Sequence, residues 1–239
     1  MNFTKADLAS YNLKLKSEIS DLQKLSWVIE KKNPVYPELL TAINISTIMM
    51  ATTCLYLDGK HSYLIPANED VFQDLQVVMH KVFLNEIQIS VECELREIIK
   101  KKHFPVINTK NKAEIVVGEI SQKLPDAVIF KKEINKILKL GANHITFNDY
   151  LDTVLNNTPG LKSKFKTDSR NFFKDGLSIL RNKADHSDQH FTEDEKQRLI
   201  SAGFRKAIRA TGLPQMSFES YRLIITQCVM FFDTIYFHL

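Results

Sequence analysis

Glycine and proline are scarce in this 239-residue chain, with seven of each. A protein built from many short strands joined by tight turns needs more of both. Their scarcity beside long stretches of helix-period apolar residues points to helices. Cysteine is scarcer still. Cys54, Cys93 and Cys228 are odd in number, far apart and without a Cys-x-x-Cys spacing, which argues against a disulfide framework and a zinc site. They read as buried thiols of a reducing compartment. A long apolar run is missing too: the richest stretch, residues 223–239, is broken by Gln227 and Asp233 and falls short of a spanning helix. The first ten residues carry Lys5 and Asp7 and lack the apolar core of a signal peptide. The expectation is a soluble cytoplasmic protein with no membrane partner. Finally, no charge sign dominates. Thirty-two Lys and Arg against 28 Asp and Glu leave +4, which permits a polyanionic partner without requiring one.

What is present supports a folded helical protein. At 44% hydrophobic and 25% charged residues, the chain can fill a core and does not have the composition of a disordered one. Leu8, Tyr11, Leu15, Ile19, Leu22 and Ile29 recur at helical spacing, so a helix is expected from about Thr4 to Lys32, ended by Asn33-Pro34. A second, from about Tyr36 to Asp58-Gly59, is apolar almost all round and is expected to be buried on several sides. A third is expected to be capped by Asn68, with Val71, Leu75, Val78, Val82, Val91, Leu95 and Ile98 as its stripe and Lys100-Lys101-Lys102 at its basic end. Residues 104–111 read as a connection, and shorter helices follow at 112–123, 126–140 and 146–155. Residues 114–117 are open to a strand reading.

The last third is better punctuated. A helix is expected from about Thr167, with Phe172, Phe173, Gly176, Leu177 and Leu180 on one face. Thr192 and Glu195 have capping-box spacing for a helix reaching toward Gly212. Ser217 should cap a final helix with the stripe Tyr221, Ile224, Ile225, Cys228, Phe231, Phe232 and Ile235. The sum is a single all-α domain over residues 1–239, a bundle of seven to nine helices. Residues 1–110 form its N-terminal helices, and residues 126–239 hold the chemistry described next.

That chemistry centres on Arg181-Asn182-Lys183-Ala184-Asp185-His186. At about 100° per residue, the apolar face of residues 172–180 points one way and Arg181, Asn182 and His186 point roughly opposite, away from the core. Asn182 and His186 are four apart and therefore neighbours on a helix. An Arg followed by Asn, with a His four to six residues beyond, late in an all-helical chain, resembles the signature of the HEPN superfamily of helical nucleases and nucleotide-binding proteins. In HEPN RNases the Arg and His form the catalytic pair, usually from two facing subunits. The resemblance implies a metal-independent endoribonuclease with no cofactor, working as a homodimer on RNA and leaving a 2′,3′-cyclic phosphate. It implies Arg181 as phosphate stabiliser, His186 as acid/base and Asn182 as the orienting polar residue. Lys183, His190 and Lys174 are the candidate substrate contacts. A defence or toxin-like role with a neutralising protein partner is known in the family. Other members are non-catalytic modules that bind a nucleotide, RNA or protein.

Plainer readings stand beside these. Arg181 could form an exposed i,i+4 ion pair with Asp185, and His186 could serve only as a helix-end histidine. Where many family members have Gly after the histidine, this chain has Ser187-Asp188-Gln189-His190, and His190 also reads as a solvated loop residue. The basic-aromatic stretch 161–166 suits either RNA backbone contact or a solvated approach to the helix. His61, His80, His103, His144 and His238 are dispersed without ligand spacing.

Overall fold

The structure, a computed structural model, describes residues 5–31, 37–58, 69–106, 145–185, 190–205, 208 and 218–239. These form seven helices and no strand: α1 (Lys5–Glu30), α2 (Pro37–Leu57), α3 (Glu69–Lys102), α4 (Phe147–Asn157), α5 (residues 163–185), α6 (Glu193–Ser201) and α7 (Phe218–His238). The all-α class expected from the sequence is the class adopted. The helices expected at 112–123 and 126–140, with the alternative strand at 114–117, lie outside the described residues. So do the caps Asn68 and Ser217.

The chain divides into two compact units, residues 1–94 with 161–239, and residues 95–160. In the first unit, α1 buries Leu15, Leu22 and Ile29 completely, a spacing of seven that forms a single seam. Helix α2 runs antiparallel to it, since Asp58 at its end meets the beginning of α1: Lys16 Nζ lies 3.1 Å from the Asp58 carboxylate, and Asn12 Nδ2 donates to it at 2.6 Å. The sequence expectation for α2 was burial on several sides, but only one side is covered. Leu39, Ala42, Ile43, Ser46, Met50, Thr53 and Cys54 are buried, while Ile48 and Leu55 face solvent. Helix α2 is also long and apolar enough to cross a membrane by length and composition.

Helix α3 packs back along α2, Thr53 Oγ1 meeting Met79 and Ser90 Oγ donating to the Glu38 carbonyl. The expected stripe is correct at Val91, Leu95 and Ile98 but not at Val78, which is half exposed. Met79, Phe83 and Ile87 take the inner face instead. The bulkier line wins, because the Phe83 ring stacks flat on Tyr221 of α7 at 3.8 Å between centroids. In α7 all seven expected positions, from Tyr221 to Ile235, are buried.

Helix α5 begins at Ser163, one turn earlier than the sequence suggests, and changes pitch along its length. It is α-helical over Ser163–Arg170, π-helical over Asn171–Leu177 and α-helical again over Ser178–Asp185. The Ser178 N–H reaches back five residues to the Phe173 carbonyl, and the Ser178 hydroxyl donates to the same oxygen at 2.9 Å. Gly176 lies at this wide turn, where the Phe204 ring rests against it and leaves no room for a Cβ. Helix α6 starts at the expected Thr192–Glu195 capping box, both reciprocal bonds being present. It stops at Ser201, well short of Gly212. Gly203, with φ of 87°, takes the left-handed position, and the N–H groups of Gly203 and Phe204 return to the Ile200 and Leu199 carbonyls, which is a Schellman ending.

In the second unit, α4 carries a complete capping box of Thr146 with Asp149 and buries Leu151, Val154 and Leu155. The Arg96 guanidinium lies over the Tyr150 ring at 4.8 Å. Lys100, Lys101 and Lys102 are exposed at the end of α3, where their charge complements the helix dipole.

Candidate functional site

Arg181 lies in the last α-helical stretch of α5 and is half buried. Its Nε donates to Asn85 Oδ1 of α3 at 2.7 Å. Among the described residues Asn85 is its one hydrogen-bond partner, and the bond is made through Nε alone. The sequence reading placed Arg181 opposite the core, beside Asn182. Instead, Arg181 turns to α3 while Asn182 is exposed. At 100° per residue Arg181 lies about 110° from the centre of the apolar face and Asn182 about 150°, so Arg181 stands at the flank, where Asn85 of α3 meets it.

Lys183 follows ordinary helical spacing. Three residues past Leu180 and seven past Gly176, it falls on the covered side of α5 and is 8% exposed. Its Nζ lies 3.0 Å from Glu195 Oε2 and donates to the His190 carbonyl at 3.0 Å. The ammonium proposed as a substrate contact is thus engaged within the chain. Burial by itself would raise the Glu195 carboxyl. The Thr192 N–H, the Lys183 ammonium and the Thr192 hydroxyl together outweigh that and hold it below its ordinary value. A second tie runs from Arg198, whose Nη2 lies 2.6 Å from Asp175 Oδ1 and whose Nη1 lies 3.4 Å from Asp194. Two ion pairs and the Phe204 contact therefore hold α6 against α5.

His190 is exposed and Lys174 is half buried. His186, with Ser187, Asp188 and Gln189, lies outside the described residues, as does the Asp185 side chain. The pairing of Arg181 with either Asp185 or His186 is therefore not part of the described geometry. The structure brings together Arg181 with Asn85, and Lys183 with Glu195 and the His190 backbone. Asn85 was missed by sequence reasoning: it stands 96 residues from Arg181 on another helix, and one polar residue among the many on α3 carries no signal of its own. The burial of Lys183 did have a signal, its i+3 spacing from Leu180.

Among the described residues no three His, Cys, Asp or Glu side chains come together as a metal site. Cys54 and Cys228 are buried, and burial raises both thiols above their ordinary value, most strongly for Cys228. No family model, curated protein or solved structure matches the chain.

Proposed function

We propose that this chain is a metal-independent endoribonuclease of the HEPN type, assembled from two copies with Arg181 and His186 at a shared site. The observation that carries the reading is the way Arg181 is held. One guanidinium nitrogen is fixed by Asn85, and no described residue engages the two Nη groups, which suit a phosphate in the bidentate geometry that a guanidinium favours. Asn182, exposed on the next residue, supplies a polar group for orienting substrate or an imidazole.

In the proposed reaction His186 accepts the proton of a ribose 2′-hydroxyl, and the 2′-oxygen attacks the adjacent phosphorus. Charge developing on the phosphoryl oxygens is met by Arg181. The bond from phosphorus to the 5′-oxygen breaks, that oxygen takes up a proton from a histidine acting as acid, and a 2′,3′-cyclic phosphate remains. His186 of each copy can fill one of the two proton-transfer roles. No divalent ion enters the sequence of steps.

The test is cleavage of single-stranded RNA by the purified chain in excess EDTA, with product ends identified. Cleavage to cyclic phosphate that falls by about 100-fold or more in Arg181→Ala, and likewise in His186→Ala, supports the proposal. Unchanged cleavage in both variants overturns it. Saturable RNA or nucleotide binding without any cleavage would establish instead a non-catalytic module of the same type.

A further inference from the structure

At the other end of α5 from Arg181 lies a cleft of about 310 Å³, within the size range of small-molecule sites. Its walls come from the start of the π segment, the turn that ends α6, and α7. The side chains that define it are Asp168, Asn171, Phe172, Ser201, Leu223 and Gln227. The local fold explains why it exists. Gly176 lets Phe204 approach α5, and Phe204 in turn supports the half-buried Phe172 ring at 5.3 Å between centroids. Gly203 then turns the chain away with no side chain of its own. A π-helical turn inside an α-helix often marks a functional site, and here it aims Asn171 and Phe172 into this cleft.

The lining is chemically selective. Asp168, Asn171, Ser201 and Gln227 engage no other side chain among the described residues. Asp168 is the one charged group among the described lining residues, and with no cation among them the described lining does not suit a phosphate. A carboxylate only accepts hydrogen bonds, so its natural partner is an edge with two adjacent N–H donors. Among the RNA bases guanine has such an edge, with N1–H beside its N2 amine, whereas adenine and cytosine offer one donor beside an acceptor. Asn171 and Gln227 both donate and accept and can serve the O6 and N7 side. Phe172 and Leu223 offer apolar surface for the face of the ring, the arrangement used to stack bases.

We propose that this cleft binds a guanine base, with Asp168 accepting from N1–H and the N2 amine and Phe172 packing on the ring. The site stands apart from the phosphodiester site. Asp168 precedes Arg181 by 13 residues, about 20 Å along a helix at 1.5 Å per residue, so it does not depend on the ribonuclease reading.

The test is titration of the full-length chain with guanosine, inosine and adenosine, followed by calorimetry or NMR, with no RNA present. Guanosine should bind saturably, inosine, which lacks the N2 amine, at least tenfold more weakly, and adenosine more weakly still. Asp168→Asn is nearly isosteric at an exposed position and should weaken guanosine binding at least tenfold, with an unchanged circular dichroism spectrum. Gln227→Ala, on a different helix, should weaken it less. Absence of saturable guanosine binding, equal binding of guanosine and adenosine, or full affinity in Asp168→Asn would overturn the proposal. RNA cleavage by Arg181 and His186 would be untouched by any of those results.

Discussion

Lys183 of α5 and Glu195 of α6 meet at 3.0 Å, with the lysine nearly enclosed and also donating to the His190 carbonyl. This pairing joins positions on either side of residues 186–189 in sequence: Lys183 before them and the α6 start after them. Lysine and arginine two positions apart in the same motif therefore do different work. One ties α5 to α6, while the other meets Asn85 of α3 through Nε, with no described residue on its Nη groups.

The two roles separate experimentally. Lys183→Ala should lower stability by about 2 kcal/mol, the scale of a charge-assisted hydrogen bond lost from a covered site. Arg181→Ala removes one bond to a half-buried amide and should cost about 1 kcal/mol or less. Urea denaturation gives both values. RNA cleavage should follow the opposite order, falling steeply in Arg181→Ala and only as far as the folded fraction falls in Lys183→Ala. A fully folded, inactive Lys183→Ala would reassign that lysine to the substrate.

The legible parts of this fold are those set by local rules. Thr192 with its reciprocal Glu195 carboxylate fixed the start of α6, and a full apolar stripe fixed the inner face of α7. Positions decided by distant partners were not legible. Val78 and Met79 are equally apolar, and the choice between them rests on Tyr221 stacking on Phe83, 138 residues away in sequence. Arg181 turns toward Asn85, a partner 96 residues away on another helix. At the candidate site the covered position of Lys183 was legible from its spacing to Leu180, while the partner of Arg181, set by another helix, was not.

Glu195 gives the Lys183 pairing a pH signature. Its carboxyl is held below the ordinary value in the folded chain, so the folded state binds the proton less readily than the unfolded state. The stabilisation is therefore complete above the ordinary glutamate value of about 4.3 and is lost as pH falls through the lower folded value. Urea midpoints of the native chain and Glu195→Gln should differ clearly at pH 6 and converge below pH 4. A gap that stays constant between those conditions would show that the carboxylate charge contributes nothing there.

Gly176 offers the sharpest test of how α5 and the end of α6 fit. On helix propensity alone, Gly176→Ala should stabilise by about 0.8–1 kcal/mol. The added methyl would collide with the Phe204 ring and crowd the Ala202 side chain, and overpacking of that kind costs about 1–3 kcal/mol. The single substitution should therefore destabilise. Phe204→Ala removes the obstacle, at its own cost of about 3 kcal/mol or more for a buried ring. In that background Gly176→Ala should change sign and become neutral or stabilising. The coupling between the two positions is read directly from the four denaturation curves of a double-mutant cycle. If Gly176→Ala destabilises equally with and without the ring, the glycine is required by the π turn itself, and Phe204 is only its neighbour.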